Sequence, residues 1–551
     1  MHIERHQVDE SAISAAREDF ANRIGRQVHS YSRVGLMTTT EWQLIADAFL
    51  DHLGALSASH PALDSPEARA VLKDATEAAV GAVSFAAYYP VDSFHVFLDY
   101  PDFGMGYESD HSADRDPVHG VTPQQWIDAL CLAILSDTVD RHGEAFVFAR
   151  QLMPDAPDSA ARALVDGFAA HVLNDTDLPP DPDDRQPGLQ ALRALAAADR
   201  DSFDAALLAL LRAPHGSRPS SLLPLLPLAL SALAHRTHGW APPCSTDYLP
   251  RALVTGFETA GPRVHGLGRD PRPEALAQLA AGPLLVDRPG EPFPLHPDGA
   301  AWFEQRIREA ISPAEGRTVG VSALASALGH QKRLFNARAS QSDDVTDAQL
   351  AALRLASQLG AALFRIALAE PGTEAEVVID GRTLRCPATR DHNNGPGHWQ
   401  LALDLALITG VRADLAPLVL AGPAHSAGDR SAYASYRVAL HDYLRGVDPL
   451  PATERALRDV AKAEHAGFLP PPTVLFSQLV EGDETSFNLA LADALEAHRD
   501  HHLVADRASD SDAALSLEVL ALACHARRRG WTIRVRSPYL PPRLLRAAEP
   551  R

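Results

Sequence analysis

The sequence predicts a mainly α-helical protein made of two duplicated helical-bundle domains, each with a small β element. The first observation behind this prediction is a repeated ending. Gly239-Trp240 is followed, eight positions after the tryptophan, by Tyr248-Leu249-Pro250, and Gly530-Trp531 is followed at the same interval by Tyr539-Leu540-Pro541. The second observation is that apolar residues recur at three and four positions along much of the chain, which is the period of an amphipathic helix.

Shared landmarks place the two copies along the 551 residues. The run Trp399–Ala406 repeats Trp126–Ala133 without a gap. Because the order of such landmarks is kept in both halves, duplication explains them better than coincidence. We therefore predict a first domain over 1–260, a Pro- and Gly-rich linker over 261–296, and a second, diverged copy over 297–551.

Helix signals open the first copy. Apolar residues at helical spacing predict a helix from Glu10 to about Ser30. A threonine at position 39 or 40 is expected to cap a second helix with its hydroxyl group. Ser65-Pro66 begins a third helix, which ends at Pro90, and Thr122-Pro123 begins another. These signals predict a helical bundle for this half.

Each copy also contains a stretch with the period of a strand. Val91–Tyr100 alternates imperfectly between apolar and polar residues and is predicted to be the one strand of the first half. Glu374–Ile379 alternates in the same way in the second half. The following stretch of the first half, Pro101–Gly120, is predicted to be a loop.

The charge of the chain favours some partners over others. The formal net charge is −21, with 50 Lys and Arg against 71 Asp and Glu. Such a chain is expected to repel nucleic acid and anionic lipid, because neutralising phosphates needs clustered Lys or Arg. A basic or neutral partner is favoured instead. Without an apolar segment near Met1 or a run of about 18 apolar residues, the protein is expected to be cytoplasmic and soluble.

No motif predicts catalysis, a metal site or a cofactor. The four cysteines lack CxxC spacing and are expected to be reduced thiols: Cys131, Cys244, Cys386 and Cys524. HExxH, GxSxG and the glycine-rich phosphate loops are absent. His441-Asp442 is the doublet used by metal-dependent phosphohydrolases, but its companion histidines have no clear positions. We therefore predict no catalytic residue and no cofactor.

The repeated aromatic residues are predicted to be structural. A tryptophan that recurs at helical spacing is usually part of the core, and a tyrosine followed by Leu-Pro closes a corner after a helix. These residues are Trp126, Trp240, Tyr248, Trp399, Trp531 and Tyr539.

One segment is a candidate surface for a basic partner. Acidic side chains are interleaved there with aromatic side chains that we expect to be exposed. The alternative is a solvated loop without a partner. The candidate residues are Asp102, Phe103, Tyr107, Glu108 and Asp110.

Several landmarks together resemble a known family. The run Phe94–Tyr107, the segment Trp126–Leu135 followed by His142–Phe146, and the Gly-Trp and Tyr-Leu-Pro ending are similar to the immunity 49 family of bacterial polymorphic toxin systems, which is frequent in actinomycetes. The resemblance extends over 1–255 and, more loosely, over 297–546. It implies a protein without a cofactor that protects the cell by binding a cognate toxin.

Three functions are kept open by the sequence. The first is a non-enzymatic immunity protein that neutralises a cognate toxin. The second is a helical scaffold or adaptor that binds a partner other than a toxin. The third is a metal-dependent hydrolase that uses His441-Asp442.

Overall fold

The structure is a computed structural model, and it divides the chain into two compact units, 1–259 and 260–551. It describes residues 1–110, 120–153, 160–175, 186–258, 261–289, 296–312, 318–423, 429, 431–465, 469–505 and 507–550. Most of these residues are helical, and the predicted mainly α fold is confirmed.

The first unit is built of helices and one two-stranded sheet. Its helices are α1 (Glu10–Arg17), α2 (Phe20–Val34), α3 (Thr39–Ser59), α4 (Pro66–Tyr88), α5 (Pro123–Leu135), α6 (Val139–Leu152), α7 (Ala160–His171), α8 (Pro187–Ala196), α9 (Arg200–Leu211), α10 (Leu225–His238) and α11 (Arg251–Thr255). The antiparallel strands β1 (Phe94–Leu98) and β2 (Phe103–Tyr107) follow α4.

The second unit is also helical, with two small sheets. Its helices are α12 (Pro273–Ala281), α13 (Pro297–Ile311), α14 (Val321–Ala339), α15 (Asp347–Leu368), α16 (Pro396–Thr409), α17 (Arg412–Ala421), α18 (Ala434–Arg445), α19 (Leu450–His465), α20 (Thr473–Glu481), α21 (Glu484–His502), α22 (Leu517–Arg528) and α23 (Pro542–Ala547). Strands β4 (Glu374–Ile379) and β5 (Arg382–Pro387) pair antiparallel, while β3 (Leu284–Leu285) and β6 (Val535–Arg536) pair parallel.

Side-chain caps explain where several helices begin. The Thr38 side chain accepts a hydrogen bond from the backbone of α3, and the Glu41 side chain accepts one from the Thr38 backbone N–H (2.8 Å). Thr122 with Gln125 forms the same reciprocal cap on α5. Such caps satisfy backbone N–H groups that have no partner within the helix. The predicted cap of α3 at 39 or 40 is thus wrong by one or two residues, because Thr38 is the residue three positions before Glu41.

The two hairpins differ in how well the sequence predicted them. Strand β4 has the bounds Glu374–Ile379 that the alternation predicted, so this prediction is confirmed. The predicted loop over 101–120 is wrong at its start, because Phe103–Tyr107 forms β2. Gly104 and Gly106 occupy the outer face of this strand, opposite Phe97 and His95. Because glycine has a low propensity for strands, the sequence pattern did not predict a strand here.

The predicted linker contains structure that packs in the second unit. Residues 261–289 include helix α12 and strand β3, and β3 pairs with β6 near the end of the chain. Val264, Leu279 and Leu284 are buried in the same core cluster as Trp399. A high content of proline and glycine therefore does not by itself indicate a linker. Short helices and strands also begin and end at prolines and glycines.

One arginine contact occurs in both units. In the first, the guanidinium group of Arg5 donates to the carbonyl oxygens of Ser57 (3.2 Å) and Asp247 (3.4 Å). In the second, Arg288 donates to the carbonyl oxygens of Ser340 (3.4 Å) and Pro538 (3.4 Å). The matching partners support the predicted duplication, which stays a prediction.

Helix α15 is the described helix that is long and apolar enough to cross a membrane. Two-thirds (67%) of its apolar window is buried inside the second unit. The core helix of a globular protein meets the same criteria of length and composition.

Candidate functional site

Two residues of the candidate surface lie in the core of the first unit. Phe103 and Tyr107 are buried, and the hydroxyl group of Tyr107 accepts a hydrogen bond from the Trp42 indole N–H (2.7 Å) and donates one to the Met37 carbonyl oxygen (2.7 Å). The expectation that these aromatic side chains are exposed is therefore wrong. Inward positions of β2 alternate with outward ones, and both rings fall on the inward face.

The acidic residues of the same segment are exposed. Asp102 lies in the turn between β1 and β2 with a positive φ of 47°, while Glu108 and Asp110 follow β2. The backbone N–H of Asp110 donates to the Pro90 carbonyl oxygen (2.8 Å), which holds this end of the segment beside α4. Residues 111–119 lie outside the described residues. The hairpin therefore presents carboxylates, and not aromatic rings, as its candidate contacts.

Two tryptophans of the predicted structural set are fully buried. The Trp126 indole N–H donates to the Phe146 carbonyl oxygen (3.0 Å), and the Trp399 indole N–H donates to the Leu418 carbonyl oxygen (2.9 Å). Each bond joins the helix that carries the tryptophan to the next helix in sequence. The predicted core role of Trp126 and Trp399 is confirmed.

The two tryptophans after Gly-Trp turns are only half-buried. Trp240 packs on Phe203 with ring centroids 5.6 Å apart, and Trp531 packs on Phe487 at 5.4 Å. The expected burial of these indoles is thus wrong in part. Gly239 and Gly530 have positive φ values of 69° and 91°, which agrees with their predicted place at helix ends.

The tyrosines of the Tyr-Leu-Pro corners are buried. Tyr248 accepts a hydrogen bond on its phenol oxygen from the backbone N–H of His6 (2.9 Å). Tyr539 packs against the His498 ring at 5.2 Å.

The doublet His441-Asp442 lies beside the core tryptophan of the second unit. The His441 Nε2 atom is 2.8 Å from the Val419 carbonyl oxygen, and its ring packs edge-on against Trp399 at 5.9 Å. In the part of the chain that the structure describes, no group of three or more His, Cys, Asp or Glu side chains is arranged to hold a metal ion. The histidine has a structural contact that accounts for its position.

Net charge is distributed unequally between the two units. Residues 1–259 contain 36 Asp and Glu against 18 Lys and Arg, a formal charge of −18. Residues 260–551 contain 35 Asp and Glu against 32 Lys and Arg, a formal charge of −3. An electrostatic attraction for a basic partner therefore originates mainly in the first unit.

The sequence analysis did not identify a group of polar side chains in the second unit that are buried or, at Glu518, partly buried. We call it the polar centre, and its members are Gln400, Asp404, Tyr436, Arg437 and Glu518. Gln400 and Asp404 lie one turn apart on α16, and the Gln400 amide Nε2 is 3.1 and 3.3 Å from the two Asp404 carboxylate oxygens. Asp404 is only 3% exposed.

Electrostatic interactions connect the members of the polar centre. Burial, followed by the neighbouring carboxylate of Glu518, raises the pKa of Asp404 well above its usual range. Burial also raises the pKa of Glu518, while the charges of Arg437 and Lys332 oppose that shift. The pKa of Tyr436 is raised by burial and then by both carboxylates.

A weak sequence signal for the polar centre existed. In the ungapped repeat, Gln400 and Asp404 correspond to Ile127 and Cys131 of the first copy. Two polar residues four positions apart thus interrupt the apolar face of a helix. Glu518 is distant in sequence and lies on α22, which packs on α16 only in the folded chain.

When the chain is compared with known protein families, one family model matches part of it. Residues 341–544 match the family model described as immunity protein 49. Neither the curated proteins nor the solved structures include a match to the chain. The matched residues lie in the second unit, although the sequence resemblance was expected to be stronger in the first. All members of the polar centre fall within them. The predicted resemblance to the immunity 49 family is confirmed over residues 341–544, and its extension to the first unit stays a prediction.

Proposed function

We propose that this chain is a cytoplasmic immunity protein that acts by binding, without catalysis, and neutralises a cognate toxin of a polymorphic toxin system. The match of residues 341–544 to the immunity protein 49 family carries this proposal. An immunity protein must recognise its toxin tightly and fast, and complementary charge contributes to both specificity and association rate.

The charge of the first unit supports a basic toxin as the partner. Its net charge of −18 attracts a cationic protein over distances of about one Debye length, roughly 8 Å at physiological salt. Within this unit, three exposed carboxylates belong to one hairpin: Asp102 lies at its turn, and Glu108 and Asp110 follow the other end of β2. We propose that they contact basic side chains of the toxin.

A charge-matched pair of variants tests the hairpin contact. The triple variant Asp102→Asn, Glu108→Gln, Asp110→Asn removes three exposed charges from the first hairpin. The control triple Glu370→Gln, Glu374→Gln, Glu376→Gln removes three exposed charges next to and within the second hairpin. We expect the first variant, and not the control, to slow association with the toxin by tenfold or more.

The partner for this experiment is obtained by capture from native cells with the full-length chain as bait. A captured protein qualifies only if its expression alone arrests growth and co-expression of this chain restores growth. Equal association rates for both triple variants would remove the hairpin as the contact. If the captured proteins are never toxic, the chain is a scaffold or adaptor, and the immunity proposal fails.

A further inference from the structure

A cleft opens on the surface of the second unit where three helices end. It has a volume of about 650 Å³ and lies among the last turns of α18, α20 and α22 and the turn that follows α18. A cleft of this size can hold a small organic molecule or the end of a peptide. We call it the arginine cleft, because Arg529 lines it. Its apolar walls are Leu444, Val447, Pro449, Leu479 and Val480.

Protein groups hold the guanidinium group of Arg529 in place. Its Nη1 atom donates to the Tyr443 hydroxyl oxygen (2.7 Å) and to the Leu479 carbonyl oxygen (3.0 Å). The guanidinium carbon lies 5.0 Å from the ring centroid of Trp531, a distance at which a cation is attracted to an aromatic face. The guanidinium group is therefore oriented before a ligand arrives, which lowers the entropic cost of binding.

Tyr443 is positioned in turn by His525. The His525 Nε2 atom lies 3.1 Å from the Tyr443 hydroxyl oxygen. Burial, followed by the charges of Arg529 and Arg528, lowers the pKa of His525 to about 4, so the ring is neutral near pH 7. A neutral ring can accept the hydroxyl proton at Nε2. Arg529 then donates to Tyr443, and Tyr443 donates to His525.

Arg529 has no carboxylate partner in the part of the chain that the structure describes. Its Nε and Nη2 donors also have no hydrogen-bond partner there, whereas the neighbouring Arg527 pairs with Glu549. Asp448, the carboxylate that lines the cleft, accepts a hydrogen bond from the backbone N–H of Leu450 (3.1 Å) at the start of α19. Nε and Nη2 present two parallel N–H groups, and this geometry matches a carboxylate.

The first unit makes the structural contacts of Arg529 with a histidine. His238 stacks on Trp240 with ring centroids 4.4 Å apart, and its Nε2 atom lies 3.0 Å from the Leu195 carbonyl oxygen. These contacts match the ring contact and the carbonyl contact of Arg529. Because a histidine makes both, they do not require a permanent cation. The positive charge in the second unit therefore favours a role beyond packing.

The surroundings of Arg529 favour a singly charged anion with an apolar body. The second unit has a net charge of only −3, against −18 for the first, so it repels an anion less. One guanidinium group matches one negative charge, and Asp448 opposes a doubly charged group such as phosphate. The apolar walls stabilise an apolar body by removing it from water.

We propose that the arginine cleft binds a carboxylate that is attached to an apolar group. Arg529 pairs with the carboxylate, and the walls at Leu444 and Val447 contact the apolar group. The carboxylate belongs either to a free organic acid or to the C-terminal residue of a partner chain. Binding is measured on the isolated chain, so its failure leaves the proposed toxin neutralisation untouched.

Ligand-observed NMR titration of the full-length chain tests the proposal with two carboxylate probes. Isocaproate represents a free acid, and acetyl-Gly-Gly-Leu represents a chain terminus. The amides of both probes are the uncharged comparisons, and inorganic phosphate is the anion without an apolar body. We expect at least one carboxylate probe to bind, and the amides and phosphate to bind at least about tenfold more weakly.

Substitutions in the cleft test the assigned residue. Arg529→Gln should weaken binding of the carboxylate at least about tenfold, because it removes the charge and the paired donors. The control Arg445→Gln removes another exposed arginine, which ends α18 outside the cleft, and should leave binding unchanged. If Arg529→Gln does not fold, Val447→Glu still provides the test, because Val447 is 46% exposed. The added charge should weaken binding more than the uncharged Val447→Gln does.

Binding of either acid and of neither amide supports the proposal. Tighter binding of isocaproate indicates a free acid as the ligand, whereas tighter binding of the tripeptide indicates a chain terminus. Binding of neither acid, equal binding of acids and amides, or equal binding by Arg529→Gln and the parent chain overturns the proposal. Preference for phosphate also overturns it, because the ligand would then be an anion without an apolar body.

Discussion

Indole hydrogen bonds illustrate how a single residue can connect two helices. Trp399 fills the core of the second unit and also donates to the Leu418 carbonyl oxygen of α17, which accepts a second hydrogen bond from the Gly422 backbone N–H (2.9 Å). A large apolar ring alone would fill the same space without the bond between the two helices. The same arrangement at Trp126 indicates that each unit uses the bond to fix the helix that follows.

We predict that Trp399→Phe lowers the free energy of unfolding by about 0.5–1.5 kcal/mol, because it removes one buried hydrogen bond to the Leu418 carbonyl oxygen, which keeps the Gly422 backbone N–H as its other donor. Urea unfolding followed by circular dichroism measures the change. Trp302→Phe is the matched control, since Trp302 is 47% exposed, and it should change stability by no more than about 0.5 kcal/mol. Equal effects at both positions would show that the indole bond contributes nothing.

Arg288 donates to several carbonyl oxygens from one partly buried position. Besides Ser340 and Pro538, it donates to Ala339 (3.3 Å) and Ala514 (3.2 Å). We predict that Arg288→Met destabilises the second unit by about 1–3 kcal/mol, because the carbonyl groups lose their donor. Arg308→Met, at an arginine that is 66% exposed and pairs loosely with Glu304, is the control in the same urea titration. A loss no larger than that of the control would contradict the prediction.

At the scale of an element, α21 places a buried histidine where protonation is unfavourable. Burial, and then the charges of His502 and His501, lower the pKa of His498 to about 3. Its Nε2 atom has no hydrogen-bond partner among the described residues. Asp510 and Asp512 are the carboxylates on the adjoining turns. The unfolded chain, with a histidine pKa of about 6.5, therefore binds a proton more readily than the folded chain.

We predict that the second unit loses stability as the pH falls below about 6.5, because the unfolded state gains the proton first. At pH 5 the contribution of His498 is about 2 kcal/mol. His498→Gln should reduce the difference between urea midpoints at pH 7.5 and pH 5. His296→Gln, at a histidine with a 77% exposed side chain, should not. An unchanged difference in the His498 variant would contradict the assignment.

At the scale of the whole molecule, the two units are expected to fold separately. Each has its own buried tryptophan, hairpin and corner tyrosine. Fragments 1–259 and 260–551 should each be helical and unfold cooperatively on heating. Lack of a cooperative transition in either fragment would show that the units depend on each other.

The fragment 297–551 tests the segment that the sequence predicted as a linker. It lacks α12, β3 and Val264, which pack in the core of the second unit. We predict a lower melting temperature than for 260–551, since buried apolar contacts are lost. Equal melting temperatures of the two fragments would show that the segment before 297 acts only as a linker and does not stabilise the second unit.

The resemblance of the second unit to the immunity 49 family could be predicted from the sequence alone, as could the buried tryptophans and strand β4. These features depend on local signals: helical period, alternation and the residues that begin and end helices. Strand β2 could not be predicted, because its glycines have low strand propensity and its aromatic residues take their place only by pairing with β1.

The sequence by itself determined a mainly α protein, its net charge of −21 and its resemblance to an immunity family. Only the tertiary structure decided that Phe103 and Tyr107 are buried and that 261–289 packs in the second unit. It also buried Asp404, so that desolvation and then the charge of Glu518 raise the pKa of its carboxyl group. The reason is physical: period and propensity act between near neighbours in sequence, whereas burial and pairing of charges depend on residues that are distant along the chain.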